Sequence, residues 1–565
     1  MNRRLVLLIG ACVVGMGLFL GVTAVATGKL GFPLDDAWIH QTYARNLARD
    51  GRFEFVPGLP SAGSTSPLWT LLLTIGYLLN IPYLLWTYLL GGLSLLWLAW
   101  ASMQAWRLLW PAFAQKDWLA GLFIVFTWPL LWAAVSGMET LLFAALGMQV
   151  VGLYLGQVAS GEWQVASGQV GSGQVASGQV GKWASGQVAS EESPNLPISQ
   201  SPNLPISQSP NLLISQSPNL PSLISLGFLS GLLILARPDG VVLLILVLVG
   251  LALAAGSWKE RGKRVIVVVG TAVLPLLPYF LFNYRSNGSL WPNTMDAKQV
   301  EYAVLLARPI FQRLAQLLYL SLGGPASGWR GMSSPHLLLL PGIIVAGWWA
   351  LKTDWATRRL YATLPLLWAG GHVLLYAWKL PVTYQHGRYL IAIMPIWLLY
   401  GLAGWLMLLF AREGGRGLWL AQKVAQFAYA FVLLFFLLQG AVAYATDVAV
   451  IEGEMVAVAH WLAENTPEAG VIATHDIGAI GYFAERPLLD LAGLITPEII
   501  PLLADETAVS EYVLASDADY LVTAPGWLYT AVTQSEAATL LYSTNFPLTQ
   551  QQGLNNMAVY RLERP

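Results

Sequence analysis

MNRRLVLLIGACVVGMGLFLGVTAVATGKLGFPLDDAWIH, residues 1–40, sets an apolar run of 23 residues (5–27) between two arginines and a pair of acids. The run is long enough to cross a bilayer and longer than the apolar core of a secretory leader, although AVA at 24–26 has the look of a cleavage site. Arg3 and Arg4 hold the N-terminus in the cytoplasm, so the chain emerges on the outer side just before Asp35 and Asp36. Carboxylates so close to hydrocarbon are costly unless they face water, a partner or a substrate, which marks the pair as a candidate functional site. DDAWIHQTYARNLA also reads as a helix that either aspartate would cap, the ordinary structural use of the same residues.

Composition agrees with the first segment. Of 565 residues 56% are hydrophobic and 11% charged, where soluble domains carry about 25% charged residues; mean hydropathy is +0.57. The chain is read as an α-helical polytopic membrane protein with about 11–13 transmembrane helices. A net charge of −1 gives no field for nucleic acid. The 25 tryptophans suit membrane interfaces and sugar-binding surfaces. The single cysteine, Cys12, excludes an intrachain disulfide and a cysteine-based zinc site, and LIGAC is a poor lipidation context.

Further spans are expected near 118–134, 139–156, 222–256 (interrupted by RPDG at 237–240), 265–284, 335–351, 360–378, 390–410 and 424–446. Basic loops with Lys259, Arg261, Lys263 and Arg264, with Lys352, Arg358 and Arg359, and with Arg412 and Arg416 are assigned to the cytoplasm. Residues 66–106 hold two apolar halves broken at NIP (80–82). Two full crossings there would put Arg107 outside, so one half is expected to be a short or partly buried helix.

Four domains follow: 1–156, an N-terminal membrane part with a catalytic first outer loop; 157–221, ASGQV and SPNLPISQ repeats read as a disordered cytoplasmic insertion; 222–446, the remaining spans; and 447–565, a small extracytoplasmic α/β domain with a helix over EMVAVAHWLAEN and strands at VIATHD, ADYLVTAP and MAVYRL.

On this topology the outer loops gather Asp35 and Asp36, Glu139 in SGMET, Arg237 and Asp239 in RPDG, Arg285 and Lys298 in NYRSNGSLWPNTMDAK, and His386 and Arg388 in YQHGRY. Each has an ordinary use: Glu139 and Asp239 as helix caps, Arg237 and Arg388 as snorkelling cations, His386 as a hydrogen-bonded interface residue. Their convergence on one face is what favours a site. Asp36 and His40, four apart on one helix face, are two metal ligands at most, too few for a site.

DDAWIHQTYARNLARDGRFEFVPGLPSAGSTSPLWTLLL, SGMETLLF, RPDG, NYRSNGSLWPNT, GRYLIAIMP and DIGAIGYFAERPLLDLAGLITPE, in that order, resemble the GT-C superfamily of polytopic glycosyltransferases. Within it they are most similar to the actinobacterial terminal arabinofuranosyltransferases and uncharacterised bacterial relatives. The resemblance is colinear over nearly the whole chain, with the 157–221 repeats as an insertion the family lacks. It implies a plasma (inner) membrane enzyme whose site lies outside the cytoplasm. The donor would be a polyprenyl phosphate sugar, transferred with inversion to an envelope glycan, lipid or protein acceptor. By the same resemblance Asp35 is the base and Asp36 positions acceptor or backbone; Arg388, Arg285, Lys298 and His386 would bind the donor phosphate, and His40, Tyr43, Glu139, Arg237 and Asp239 the substrate. The chemistry fits these residue types, because transfer needs a base for the acceptor proton and cations for the departing phosphate. A single phosphate makes a divalent metal dispensable without ruling it out. A transporter or an envelope-polymer-binding protein are the alternatives, though a transporter would show paired halves.

Overall fold

The computed structural model describes residues 3–563 apart from 62, 170–219, 255, 324–335 and 410–414. Helix α1 (Arg3–Thr27) has 25 residues, about 37 Å at 1.5 Å per residue, more than the roughly 30 Å of hydrocarbon it must cross. Helix α2 (Asp36–Asp50) is far more polar and closes at Gly51, whose left-handed backbone (φ 67°) returns its N–H to Leu47. A short hairpin of β1 (Glu54–Val56) and β2 (Leu59–Pro60) precedes α3 (Pro67–Leu78) and α4 (Tyr83–Leu109).

The break at 80–82 separates unequal halves. Helix α3 has 12 residues, about 18 Å, and packs on α2, whereas the 27 residues of α4 make a full span. Arg107 at the end of α4 and Arg4 at the start of α1 both pair with the buried Asp117, the latter at 2.7 Å. A buried carboxylate needs such partners. Arg107 therefore lies at the same end of the bundle as the N-terminus, and Asp35 at the other.

Helices α5 (Asp117–Phe126) and α6 (Trp128–Ala134) form one leg bent by 63°; Pro129 at the start of α6 cannot supply the hydrogen bond that would continue α5. Helix α7 (Thr140–Gln169) returns and extends beyond residue 156, where the insertion was drawn. The rest of the repeats, 170–219, lie outside the described residues. The segment 222–256 is two legs, α8 (Leu220–Ala236) and α9 (Val241–Leu253), turned at RPDG. Helix α10 (Trp258–Asn287) starts at a capping box of Ser257 and Glu260 and presses on α8, where a Cβ on Gly231 would meet the Ala272 carbonyl oxygen at 2.2 Å. Short helices α11 (Thr294–Glu301), α12 (Ala303–Leu306) and α13 (Ile310–Ser321) follow, then α14 (His336–Thr357), α15 (Leu364–Lys379), α16 (Met394–Leu409) and α17 (Arg416–Ile451).

Among the described residues seven helices are long and apolar enough to cross a membrane, eight with the bent pair. The lower end of the expected 11–13 is reached by adding α8, α9 and α15, which at 17, 13 and 16 residues are shorter legs between the same two ends.

The boundary at 447 falls inside a helix. Helix α17 continues through a wide turn at Glu452–Val456 into α18 (Ala457–Asn465), so the terminal domain grows from a span without a linker. Buried Glu454 fixes the joint, accepting hydrogen bonds from Met557 N at 2.9 Å and Asn556 Nδ2 at 2.7 Å. The domain's mixed sheet runs in the order β4 (Leu488–Asp490), β3 (Ile472–Thr474), β5 (Tyr520–Thr523), β7 (Ala558–Leu562), β6 (Ala538–Ser543). Strand β3 is parallel to both neighbours, and β7 antiparallel to both of its own. The three expected strands are the central β3, β5 and β7; the edge strands are additional.

Candidate active site

A cleft opens at the end of the bundle opposite Asp117. Seven of the residues named from the sequence line it: Asp36, His40, Glu139, Arg237, Asp239, Lys298 and Arg388. Different elements deliver them. Asp36 and His40 come from successive turns of α2, Glu139 from the loop before α7, Arg237 and Asp239 from the α8–α9 turn, Lys298 from α11, and Arg388 from the irregular 385–393 segment ahead of α16.

The charges form two groups. In the first, Asp36 pairs with Arg388, and both Arg388 Nη2 and Lys298 Nζ donate to the Tyr389 hydroxyl at 3.0 Å. Burial raises a carboxyl's pKa, but the Arg388 and Lys298 cations outweigh it and hold Asp36 well below the usual carboxylate range. The Tyr389 ring lies 4.9, 5.5 and 5.7 Å from Arg388, Arg237 and Lys298.

In the second group Arg237 Nε lies 3.3 Å from Asp239 and 3.8 Å from Glu139, and His40 Nε2 lies 3.5 Å from the other Glu139 oxygen. Burial works against ionising Glu139, yet His40 and Arg237 keep its pKa below the ordinary value. The Tyr376 hydroxyl joins Arg237 to Asp239, donating to the latter at 3.0 Å. His372 Nε2 bonds the Tyr389 carbonyl at 2.8 Å and so fixes the 388–389 turn. Arg388 Nε and His40 Nδ1 are buried with no hydrogen-bond partner among the described residues, as groups facing a polar ligand site are.

Four sequence-named residues lie elsewhere. Both carboxylate oxygens of Asp35 accept hydrogen bonds from the terminal domain, from Gly478 N at 2.7 Å and Ala479 N at 2.8 Å. Burial first, then the neighbouring Asp476, raise its pKa to about 7 against the pull of those amides. Tyr43 is fully buried between Phe53 and Phe55, its hydroxyl 2.6 Å from Ser61 Oγ. His386 stands edge-on to Trp128 and Trp132 and pairs with Asp447 at 2.8 Å, tying the 385–393 segment to α17. Arg285 is exposed at the end of α10. The side chains overlooked in the sequence are Tyr376, Tyr389 and His372; a His and a Tyr four apart in apolar α15, hence on one face, were the available signal. Among the described residues no three His, Cys, Asp or Glu side chains are grouped to hold a metal ion.

Known proteins share this architecture. A family model described as a domain of unknown function (DUF8728) matches residues 440–560, the end of α17 and the terminal domain. No curated protein sequence matches the chain. The oligosaccharyltransferase AglB from Archaeoglobus fulgidus, solved with an inhibitory peptide and a dolichol-phosphate, superposes with a TM-score of 0.56 at 11% identity, covering 93% of this chain and 69% of its own. ArnT from Cupriavidus metallidurans in the apo state gives 0.54 at 14% identity, covering 98% and 97%; the same protein bound to undecaprenyl phosphate gives 0.50. The membrane bundle with its appended mixed sheet is the GT-C glycosyltransferase fold.

Proposed function

We propose that this chain is an inverting membrane glycosyltransferase that moves a sugar from a polyprenyl phosphate carrier to an envelope glycan, lipid or protein acceptor at the outer face. The observation that carries the reading is the Asp36–Arg388–Lys298–Tyr389 group, set in a cleft that also offers apolar side chains, Ile39, Pro292, Met295, Leu375 and Leu380. Two cations and a hydroxyl suit a phosphate, and an apolar wall suits the prenyl chain bonded to it. Arg4 and Arg107 at the opposite end favour a cytoplasmic position there and an outer position for the cleft. The fold's relatives, one with dolichol-phosphate and one with undecaprenyl phosphate, support the donor class.

In this reading Asp36 takes the acceptor hydroxyl proton as the acceptor oxygen bonds to the anomeric carbon. The bond from that carbon to the phosphate oxygen breaks, its electron pair leaving with the phosphate, and Arg388 and Lys298 balance the added charge. Asp36 takes the role that the resemblance gave to Asp35, because Asp36 faces the cleft and both Asp35 oxygens are engaged. Arg237, Glu139 and His40 would orient the sugar and acceptor hydroxyls.

The test has two arms. Purified protein should be stabilised against heat by undecaprenyl phosphate, by about 2.7 kcal/mol at a hundredfold excess over Kd. Membranes given a panel of radiolabelled polyprenyl phosphate sugars, arabinofuranose among them, should move one label to an envelope fraction. Neither stabilisation nor transfer would sink the reading.

A further inference from the structure

The terminal domain meets the bundle beside the cleft through residues 475–479, HDIGA, whose two ends grip different parts of it. At one end Gly478 and Ala479 cap Asp35, and a Cβ on Gly478 would sit 2.1 Å from the Asp35 carbonyl oxygen, so only glycine allows this approach. At the other, His475 Nε2 lies 3.5 Å from Glu301 while Nδ1 lies 3.2 Å from Asp476. Burial disfavours a charged imidazole, but the hydrogen bonds with Asp476 and Glu301 prevail and lift its pKa to about 10.

Each grip is one step from a cleft residue. Asp35 precedes Asp36, and Glu301 is one turn of α11 beyond Lys298, on the same helix face. A second contact points the same way: Leu494, in a turn held by Asp490 accepting from Ala492 N and Ile495 N at 2.8 and 2.7 Å, lines the cleft itself.

We propose that the 475–479 loop is a latch that sets the spacing between Asp36 and Lys298, with His475 and Glu301 as positioning residues that touch neither substrate. The inference rests on the transferase reading above, since it assigns the two gripped elements to the acceptor side and the phosphate side of one reaction. Docking of the terminal domain would then be part of assembling the site.

The experiment uses the full chain with His475→Ala, Glu301→Gln, the double variant and His475→Lys, which keeps a cation for Glu301. Hydrogen exchange is followed over residues 33–40 and 294–301, with 139–150 as the internal reference. Undecaprenyl phosphate binding and turnover are measured alongside. Each single variant should speed exchange in the first two segments, leave the reference unchanged and lower turnover roughly two- to thirtyfold, the span of a coupling of 0.5–2 kcal/mol. The double variant should be no worse than the poorer single one, and His475→Lys should recover part of the loss. Unchanged exchange in 33–40 and 294–301, or losses that multiply in the double variant, would overturn the latch. If His475→Ala fails to fold, Glu301→Gln puts the same question from the half-buried partner. Wild-type protein that shows the exchange coupling but never binds undecaprenyl phosphate would remove the transferase reading and leave the latch standing.

Discussion

Replacing Asp36 by asparagine separates its two electrostatic roles. The amide keeps the size and an acceptor oxygen for Arg388 but loses the charge that attracts the guanidinium and the basicity that would accept a proton. Unit charges at 4 Å interact by about 4 kcal/mol at an effective dielectric of 20. Arg388 is almost wholly buried, but the Asp36 side chain is 29% exposed, so screening and the retained hydrogen bond reduce the expected loss of stability to about 1–2 kcal/mol. A lipid phosphate beside Arg388, about 6 Å from Asp36, would be repelled by roughly 3 kcal/mol before screening. With that repulsion removed, Asp36→Asn should bind undecaprenyl phosphate about tenfold more tightly while losing about 10²- to 10⁴-fold in turnover, the usual worth of a general base. Thermal shift with undecaprenyl phosphate and label transfer read the two numbers independently. Near-normal turnover would remove Asp36 as the base, and weaker lipid binding would show that the phosphate does not share Arg388 with it.

Asp35→Asn turns one acceptor of the Gly478 and Ala479 amides into a donor, so it should weaken domain docking by about 1–3 kcal/mol and lower turnover less than Asp36→Asn does; abolished turnover with normal docking would return the base role to Asp35. Docking should also loosen as pH rises. His475, with its folded pKa raised from 6.5 to about 10, stabilises fully below 6.5 and loses that contribution as pH passes through 10. Asp35, raised from 3.8 to about 7, changes between those values; over pH 7–10 the His475 share is read as a difference, the thermal midpoint falling more steeply (or rising less) in the wild type than in His475→Gln, and an equal slope in both would contradict the pairing. Deleting residues 175–215 should leave the thermal midpoint and activity nearly unchanged, because repeats without an apolar face add little burial and loop closure varies slowly with length; loss of expression would refute this. In a Cys12→Ser background, cysteines at Arg52, Ser289 and Gln534 should react with an impermeant maleimide in intact cells, and those at Lys259 and Thr357 only after lysis; Arg52 and Ser289 labelling from opposite sides would break the shared cleft.

The spans were legible because a bilayer demands long apolar runs whatever their neighbours, and the 66–106 puzzle yielded to length: α3 is too short to cross. The convergence of loops was legible for the same reason, since alternating spans sort loops onto two faces. What each polar side chain touches was not. Asp35 and Asp36 are adjacent, but a helical step of about 100° turns one toward the terminal domain and the other into the cleft, and nothing local says which. His386 and Arg388 stand two residues apart in YQHGRY, yet a left-handed backbone at His386 and Gly387 (φ 58° and 67°) sends the histidine to Trp128, Trp132 and Asp447 while the arginine reaches Asp36. Edge strands β4 and β6 escaped notice because an edge strand buries little: only Asp490 of β4 and no residue of β6 is buried, whereas all of β3 is.

The pairing of Asp36 with Arg388 gives the proposed reaction a way to conserve charge within the cleft. A polyprenyl phosphate sugar is a phosphodiester with one negative charge, and the released polyprenyl phosphate is a monoester that carries up to two. As the leaving oxygen gains charge, Asp36 loses its own by taking the acceptor proton, so Arg388 can shift its pairing from carboxylate to phosphate over a short distance. Before the reaction the same pairing holds Asp36 ionised and only weakly basic; its basicity would rise as the phosphate draws Arg388 away, which is when the proton must move. A group preorganised in this way responds to the transition state more than to the bound donor. Lysine in place of Arg388 should therefore cost more in turnover than in donor affinity: its single ammonium can neutralise a phosphate, but it has no fork with which to hold carboxylate and phosphate together. Equal losses in both would mean that Arg388 binds the donor without taking part in the charge transfer.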